Sequence, residues 1–368
     1  MPGHYMMLDD FLLRTLEGQR DEAGAYRLRT VLGEIALAVR AIAAMIERVM
    51  LDGSMGAGGD AGLNLEAAAR ELMVALCERS ACVAGYAAAG AGAMRATAAV
   101  AGASGVSGVS ERGGYLLAFE ALDGAAQIAE NGVAGSVFSV REAACESTEE
   151  LTQDAAWLRG GAAQWAAAYA LYGPSTLLVL TLGRGTYGFT LDRSSGTFVL
   201  THRAMCVPDE GPELAIDGAR EHAWEPPVLR YVRECRAGSA GEREREFSLR
   251  FGGCAVADVH RILTRGGVGI VPREPREALG ASGLALMHAA QPLALLVEQA
   301  GGAASTGRAR VLELLPGALD ERTGIVLGSK SEVARLERYH REYERGVDRP
   351  FNSPLFNERS LFRPEACA

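Results

Sequence analysis

Two carboxylates, Glu120 and Asp123, stand between a short apolar run, Tyr115 to Phe119, and the glycine at position 124. An acid pair at a strand end, followed by a glycine turn, can hold Mg2+ and offer the next backbone N–H groups to a phosphate. The same residues also make an ordinary surface turn, so the spacing alone leaves both readings open. The other patterns yield to plainer readings. Gly183-Arg184-Gly185-Thr186-Tyr187-Gly188 matches G-x-G-x-x-G. A dinucleotide site needs a helix after the glycines, whereas Phe189 to Leu191 continues as strand, so this is a hairpin turn. The 6 histidines form neither HxH nor HExxH. Asp258 and His260, two apart on a helix, share no face and read as surface or capping groups. No GxSxG elbow is present. The 7 cysteines are scattered and form no CxxC pair. That indicates neither a zinc knuckle nor a disulfide framework, and it points to a reduced, cytoplasmic protein.

The elements that must position these groups are legible in part. Val31, Ile35, Val39, Ile42 and Ile46 recur every three or four residues and predict a helix over 29–50 with one buried face. Asp52, Gly53 and the glycine-rich stretch 56–62 break it, and a second helix covers about 64–79. Tyr115 to Phe119 and Ser136 to Val140 read as strands around the Asp123-Gly124 turn. Residues 155–172 fit either strand or helix. The runs 175–182, 186–191 and 197–201 predict a three-stranded antiparallel meander. Helices follow over 225–236, 254–265 and 292–300, with strands at 268–271, 311–315 and 324–327. Ser329 and Glu332 suggest a capping box for a helix over 330–345. The remaining tail, rich in proline and polar residues, reads as a surface-draped extension. Mixed strands and helices throughout imply a layered α/β protein.

Composition sets the outer bounds. The chain has 368 residues, enough for one large domain or two lobes. Lys and Arg number 37 against 46 Asp and Glu, a net charge of −9 that disfavours nucleic-acid binding. Hydrophobic residues make up 48% and charged residues 23%, which argues against disorder and fibrous repeats. The acidic start of the chain does not resemble a secretory signal, and no apolar run approaches a membrane span.

The stretches 169–202, 224–238 (WEPPVLRYVRECRAG), 256–268 (VADVHRILTRGGV) and 297–314 (VEQAGGAASTGRARVLEL) closely resemble class 1 fructose-1,6-bisphosphatases of the bacterial Calvin-cycle type. The resemblance runs from about residue 8 to 345. It implies an α/β/α/β/α sandwich of the sugar-phosphatase type, with lobes 1–205 and 206–345 and a tail 346–368. It also implies a homotetramer, and hydrolysis of the 1-phosphate of fructose 1,6-bisphosphate by Mg2+ ions that clamp the phosphoryl group and activate water.

Carried over residue by residue, that pattern is depleted here. FEALDGAAQ at 119–127 resembles the family's FDPLDGSSN. Asp123 is retained, Glu120 stands for the first Asp, and Leu122 can offer its carbonyl to a metal. Gly124, Ala125 and Ala126 keep the N–H groups that would hold a phosphate. The family's Glu pair aligns with Ala87 and Ala88, and an upstream metal-site acid falls at Arg70. ALMHAAQP at 285–292 puts Ala289 at a metal-ligating Glu and Gly283 at a phosphate-binding Lys. Asp217 stands where an Asn meets the 6-phosphate, with Phe251 and Val271 at tyrosine positions. Arg250 matches an Arg that reaches a neighbouring subunit's 6-phosphate. The residual metal site is therefore Glu120, Leu122 and Asp123, fit for one weakly held Mg2+ or none. Glu130, Glu66 and Asp60 are nearby carboxylates that could fill in. The expectation is a family member with weak or no bisphosphatase activity. An ordinary active enzyme of the Calvin cycle or gluconeogenesis, and a non-catalytic subunit that uses Arg250 to complete an active paralogue, stand as alternatives. A smaller or uncharged ligand also fits a pocket made less polar by Met287, His288 and Val271.

Overall fold

The computed structural model describes residues 5–19, 21–51, 60–97, 114–143, 148–274 and 283–347. The side chain of Asp60, nearly all of the tail, and residues 52–59 of the glycine-rich break fall outside these residues.

Helix α1 covers Leu8–Leu16, α2 Glu22–Leu51 and α3 Asp60–Arg79. The α2 stripe is buried as its period requires: Val31, Ile35, Val39 and Ile42 are all within 1% of full burial. The helix starts seven residues before the predicted boundary, because Leu28 also joins the core and Glu22 suits a first turn. All three helices lie on one face of an eight-stranded sheet. Its strands are β1 (Val83–Ala88), β2 (Met94–Ala96), β3 (Tyr115–Asp123), β4 (Ala134–Glu142), β5 (Gln164–Tyr172), β6 (Thr176–Thr181), β7 (Thr186–Asp192) and β8 (Thr197–Met205). They run in the order β2-β1-β3-β4-β5-β6-β7-β8, antiparallel except for β1 beside β3. The predicted meander is its β6-β7-β8 edge. The GRGTYG turn falls between β6 and β7, with Gly183 and Gly185 at φ +79° and +80°. The ambiguous segment 155–172 resolves into short helical turns followed by β5.

On the opposite face lie α5 (Ala255–Arg265) and α6 (Gln291–Gln299). A second sheet of five strands covers them, in the order β10-β9-β11-β15-β13. Its members are β9 (Glu213–Ala215), β10 (Ser248–Arg250), β11 (Val268–Val271), β13 (Ala303–Ser305) and β15 (Ile325–Gly328). Helices α4 (Pro226–Arg236) and α7 (Lys330–Glu344) close the stack through Val228, Tyr231, Leu336 and Tyr339. The layers read α/β/α/β/α. A two-stranded ladder, β12 (Leu284–Ala285) with β14 (Arg322–Thr323), sits apart. Among the described residues no helix is long and apolar enough to cross a membrane.

Two local expectations are corrected, and one feature is new. The strand expected at 311–315 is a single 3-10 turn, Val311–Glu313, whose apolar residues dock Val311 and Leu312 under α6 instead of entering a sheet. The capping box at α7 does not form. Ser329 Oγ donates to the Pro208 carbonyl and accepts from Gly267 N–H, while Glu332 is buried among arginines. Helix α6 is entered through a π-turn, Leu286–Ala290, that residue periodicity did not show.

Candidate functional site

A β-bulge builds the acid pair. Across β3 and β4, Glu120 faces Val137 and Asp123 faces Gly135, so two β3 residues oppose the single Ser136. Without the bulge, positions 120 and 123 would point to opposite faces. With it, both carboxyls leave the α1–α3 core to Ala121 and Leu122, which are buried there. Ser136 holds the bulge by donating to the Ala121 carbonyl at 2.6 Å. Gly124 then turns the chain at φ +73°, and a Cβ there would stand 2.7 Å from Cys254 Cβ. Both facts require glycine.

The Asp123 carboxylate is already engaged. Its Oδ2 accepts from the backbone N–H of Val256 at 3.0 Å and from the Cys254 thiol at 3.2 Å. Val256 is the second residue of α5, and Cys254 offers no side-chain cap of its own. Asp123 therefore caps α5 from another element, which supplies a structural reason for a carboxylate at this position. Burial and the nearby Asp123 carboxyl push the Cys254 thiol far up, so it remains an S–H donor. Burial raises Asp123 itself, against the hydrogen bonds that favour its charged form.

Glu120 is different. Burial, then the Asp123 carboxyl, push it up to about 7, with Glu66 adding to the rise and Arg322 opposing it. Glu66 on α3 thus approaches the pair, as one of the three stand-in carboxylates named above, whereas Glu130 is exposed. Arg70 lies one turn beyond Glu66 on α3. Arg322, Cys254 and the Val256 N–H were not legible as site groups. Cys254 had one signal, its place just before a helix; Arg322 had none.

The residues at depleted positions lie on two walls. Ala289 is buried within the π-turn. Gly283 has φ +98°, and a Cβ on it would lie 2.0 Å from the Thr323 carbonyl oxygen. The β12–β14 ladder itself excludes a side chain there. Arg322 instead donates from Nε and Nη2 to the Gly283 carbonyl at 2.9 and 2.6 Å. Gly283→Lys is expected to destabilise the fold by about 1–3 kcal/mol through backbone strain, read as a lower urea midpoint. An unchanged midpoint would show that this ladder opens freely.

The second wall is the carboxyl end of three parallel strands. Asp217 follows β9, Arg250 ends β10 with Phe251 just after it, and Val271 ends β11. Asp217 accepts from Ala219 N–H at 3.1 Å and caps a 3-10 turn. The Arg250 side chain is 56% exposed, with its Nε 3.7 Å from Glu213. Ala125 is buried and Ala126 exposed at the start of a four-residue helical turn. His260 corrects its reading as a surface or capping group: it is half-buried, and its Nδ1 meets the Tyr169 hydroxyl at 2.8 Å. Among the described residues no three His, Cys, Asp or Glu side chains gather as a metal-holding group.

Known proteins place this architecture. The chain matches the family model for the fructose-1-6-bisphosphatase N-terminal domain over residues 7–203 and that for the C-terminal domain over 207–341. It is 42% identical to "Fructose-1,6-bisphosphatase class 1 3" of Paraburkholderia phymatum, covering 96% of this chain and 97% of that one. It is 38% identical to the class 1 enzyme of Methylacidiphilum infernorum, over 99% of both. Among solved structures, the holo form of Leishmania major fructose-1,6-bisphosphatase superposes with a TM-score of 0.79 at 26% identity, covering 91% of this chain and 99% of that chain. The chain belongs to the class 1 fructose-1,6-bisphosphatase family.

Proposed function

We propose that this family member is a weak or silent fructose-1,6-bisphosphatase, a sugar-phosphate-binding protein whose metal chemistry has been largely lost. One observation carries the reading: positions where the family pattern has a metal-ligating Glu and a phosphate-binding Lys hold Ala289, buried in its π-turn, and Gly283, which has no room for a side chain. Asp123 is tied to the α5 terminus and the Cys254 thiol, while burial and the Asp123 carboxyl push Glu120 up to about 7. Mg2+ needs ionised oxygens in near-octahedral array and dehydrates reluctantly. Glu120, Asp123 and the Leu122 carbonyl suit one loosely held Mg2+ rather than a two-ion clamp. Such an ion would supply Lewis-acid polarisation of a phosphoryl oxygen. The N–H groups of Ala125 and Ala126 would orient a phosphate, while Asp123 retains that of Gly124. Phosphate release from fructose 1,6-bisphosphate with Mg2+ or Mn2+ tests the reading. We expect turnover well below one per second, the low end of ordinary enzyme rates. Several turnovers per second would overturn it.

The second reading, an ordinary active phosphatase, is favoured by Glu66. Glu120 feels both Asp123 and, more weakly, Glu66, and such repulsion between carboxylates is what a bound ion relieves. The same assay decides, with Glu66→Gln as the diagnostic variant: loss of a measurable rate supports this reading.

We extend the proposal to the lobes 1–205 and 206–345, a cytoplasmic location and a homotetramer or mixed oligomer with an active paralogue. Arg250, exposed on edge strand β10, is the group a neighbouring subunit would meet. Light scattering on the purified chain is expected to give an oligomer mass that Arg250→Ala leaves intact. A monomer would remove the case for action in trans.

A further inference from the structure

The layer between the eight-stranded sheet and α6 holds a second polar cluster that the candidate site leaves unused. Arg141, on β4, is 1% exposed. Its Nη1 donates to the carbonyls of Trp157 and Arg159 at 3.3 and 2.7 Å, and its Nη2 to Gln291 Oε1. Its Nε–H has no partner, and among the described residues no carboxylate pairs with it. Burial, and then the charge of a second guanidinium, Arg159, push Arg141 down to about 10, so it stays cationic at neutral pH. Arg159 Nη2 donates to the Glu142 carbonyl at 2.6 Å, while its buried Nε–H also has no partner. His288 completes the group. It is 1% exposed, both ring nitrogens are unpartnered, and it lies within electrostatic reach of Arg141. It sits on the π-turn before α6, a rare feature that often marks functional positions.

Native proteins rarely leave buried donors unsatisfied, and a buried cation without an anion is costly. A water could serve the bare acceptor Oε1 of Gln164, across the ladder from Arg141. It would leave the guanidinium charge unbalanced. Asp320, the carboxylate that His288 also feels, is exposed and pairs with neither arginine. Three unused N–H donors with excess positive charge call for an anion. Enclosure calls for a small one. We propose that Arg141, Arg159 and His288 form an internal seat for a halide-sized inorganic anion. Such an ion would tie the π-turn and the loop of Trp157 and Arg159 to β4.

The test uses the purified full-length protein. Thermal unfolding is compared in sodium chloride and sodium gluconate at equal ionic strength, and crystals grown in bromide are examined for anomalous scattering. An anion that binds only the native state raises the melting temperature, here by about 2 °C or more at saturation, because stabilisation follows RT ln(1 + [L]/Kd). We expect that rise in chloride, its loss in Arg159→Gln, and a bromide peak in contact with Arg141 Nε. Arg141→Gln should lose it too; if that variant fails to fold, the half-exposed Arg159 and the bromide map still decide. Equal melting temperatures with no bromide peak would overturn the seat, as would a chloride effect that persists in Arg159→Gln. Neither readout depends on phosphatase activity.

Discussion

Glu332→Ala is expected to destabilise the protein by about 3–5 kcal/mol, the range seen when one partner of a buried ion pair is removed. Glu332 is 2% exposed and pairs with Arg243 at 2.7 Å and with Arg245. It also accepts from the buried Tyr231 hydroxyl. Arg243 is itself only 3% exposed, so truncation strands a guanidinium and a phenol together. The cost comes from these leftovers rather than from the worth of the pair. Glu344→Ala is the control: its partner Arg308 is 35% exposed and Glu344 49%, so about 1 kcal/mol or less is expected. Urea unfolding of both variants checks the contrast. A Glu332 variant as mild as the control would show that water reaches the α4–α7 layer and that the network is not a buried one.

This hub also marks where sequence reading stops. Local patterns carry short-range information, and the elements that depend on it were legible: the α2 stripe, the 175–201 meander, the strand ends around Asp123. Residues 329–332 match a local capping signature, yet the fold draws Glu332 to arginines nearly ninety positions away. The bulge at β3 is another case. It is set by the register between β3 and β4, and no property of FEALDGAAQ alone puts Glu120 and Asp123 on one face. Val311 to Leu315 has strand composition, but packing under α6 satisfies its apolar side chains without a ladder partner. The positions aligned with lost family residues were readable as replacements. Their physical causes were not: the ladder that forbids a side chain at 283, and the helix end that engages Asp123, appear only in three dimensions.

Replacing Glu120 by glutamine is expected to stabilise the protein at pH 8, by a few kcal/mol. A carboxyl raised to about 7 in the native state, from an ordinary 4.5, binds its proton more tightly folded than unfolded. Below pH 4.5 both states hold the proton and the wild type suffers no penalty. As pH rises through 4.5 to 7 the unfolded chain ionises first, and stability falls. Above 7 the full penalty remains, since a charged Glu120 must sit beside Asp123 and Glu66. Glutamine keeps the shape without the charge, so the variant should gain most above pH 7 and match the wild type below pH 4.5. Divalent metal adds a second axis. If a cation occupies the acid cluster tightly, saturating Mg2+ supplies the missing positive charge, Glu120 ionises without cost, and the wild type overtakes the variant. If the cluster holds metal as weakly as proposed, millimolar Mg2+ leaves the variant ahead at pH 8. Melting curves of both proteins from pH 4 to 8, with and without Mg2+, separate these cases. A crossover on adding Mg2+ would return the chain to the working phosphatases of its family, and a gap that does not vary with pH would place Glu120 in water rather than among half-buried acids.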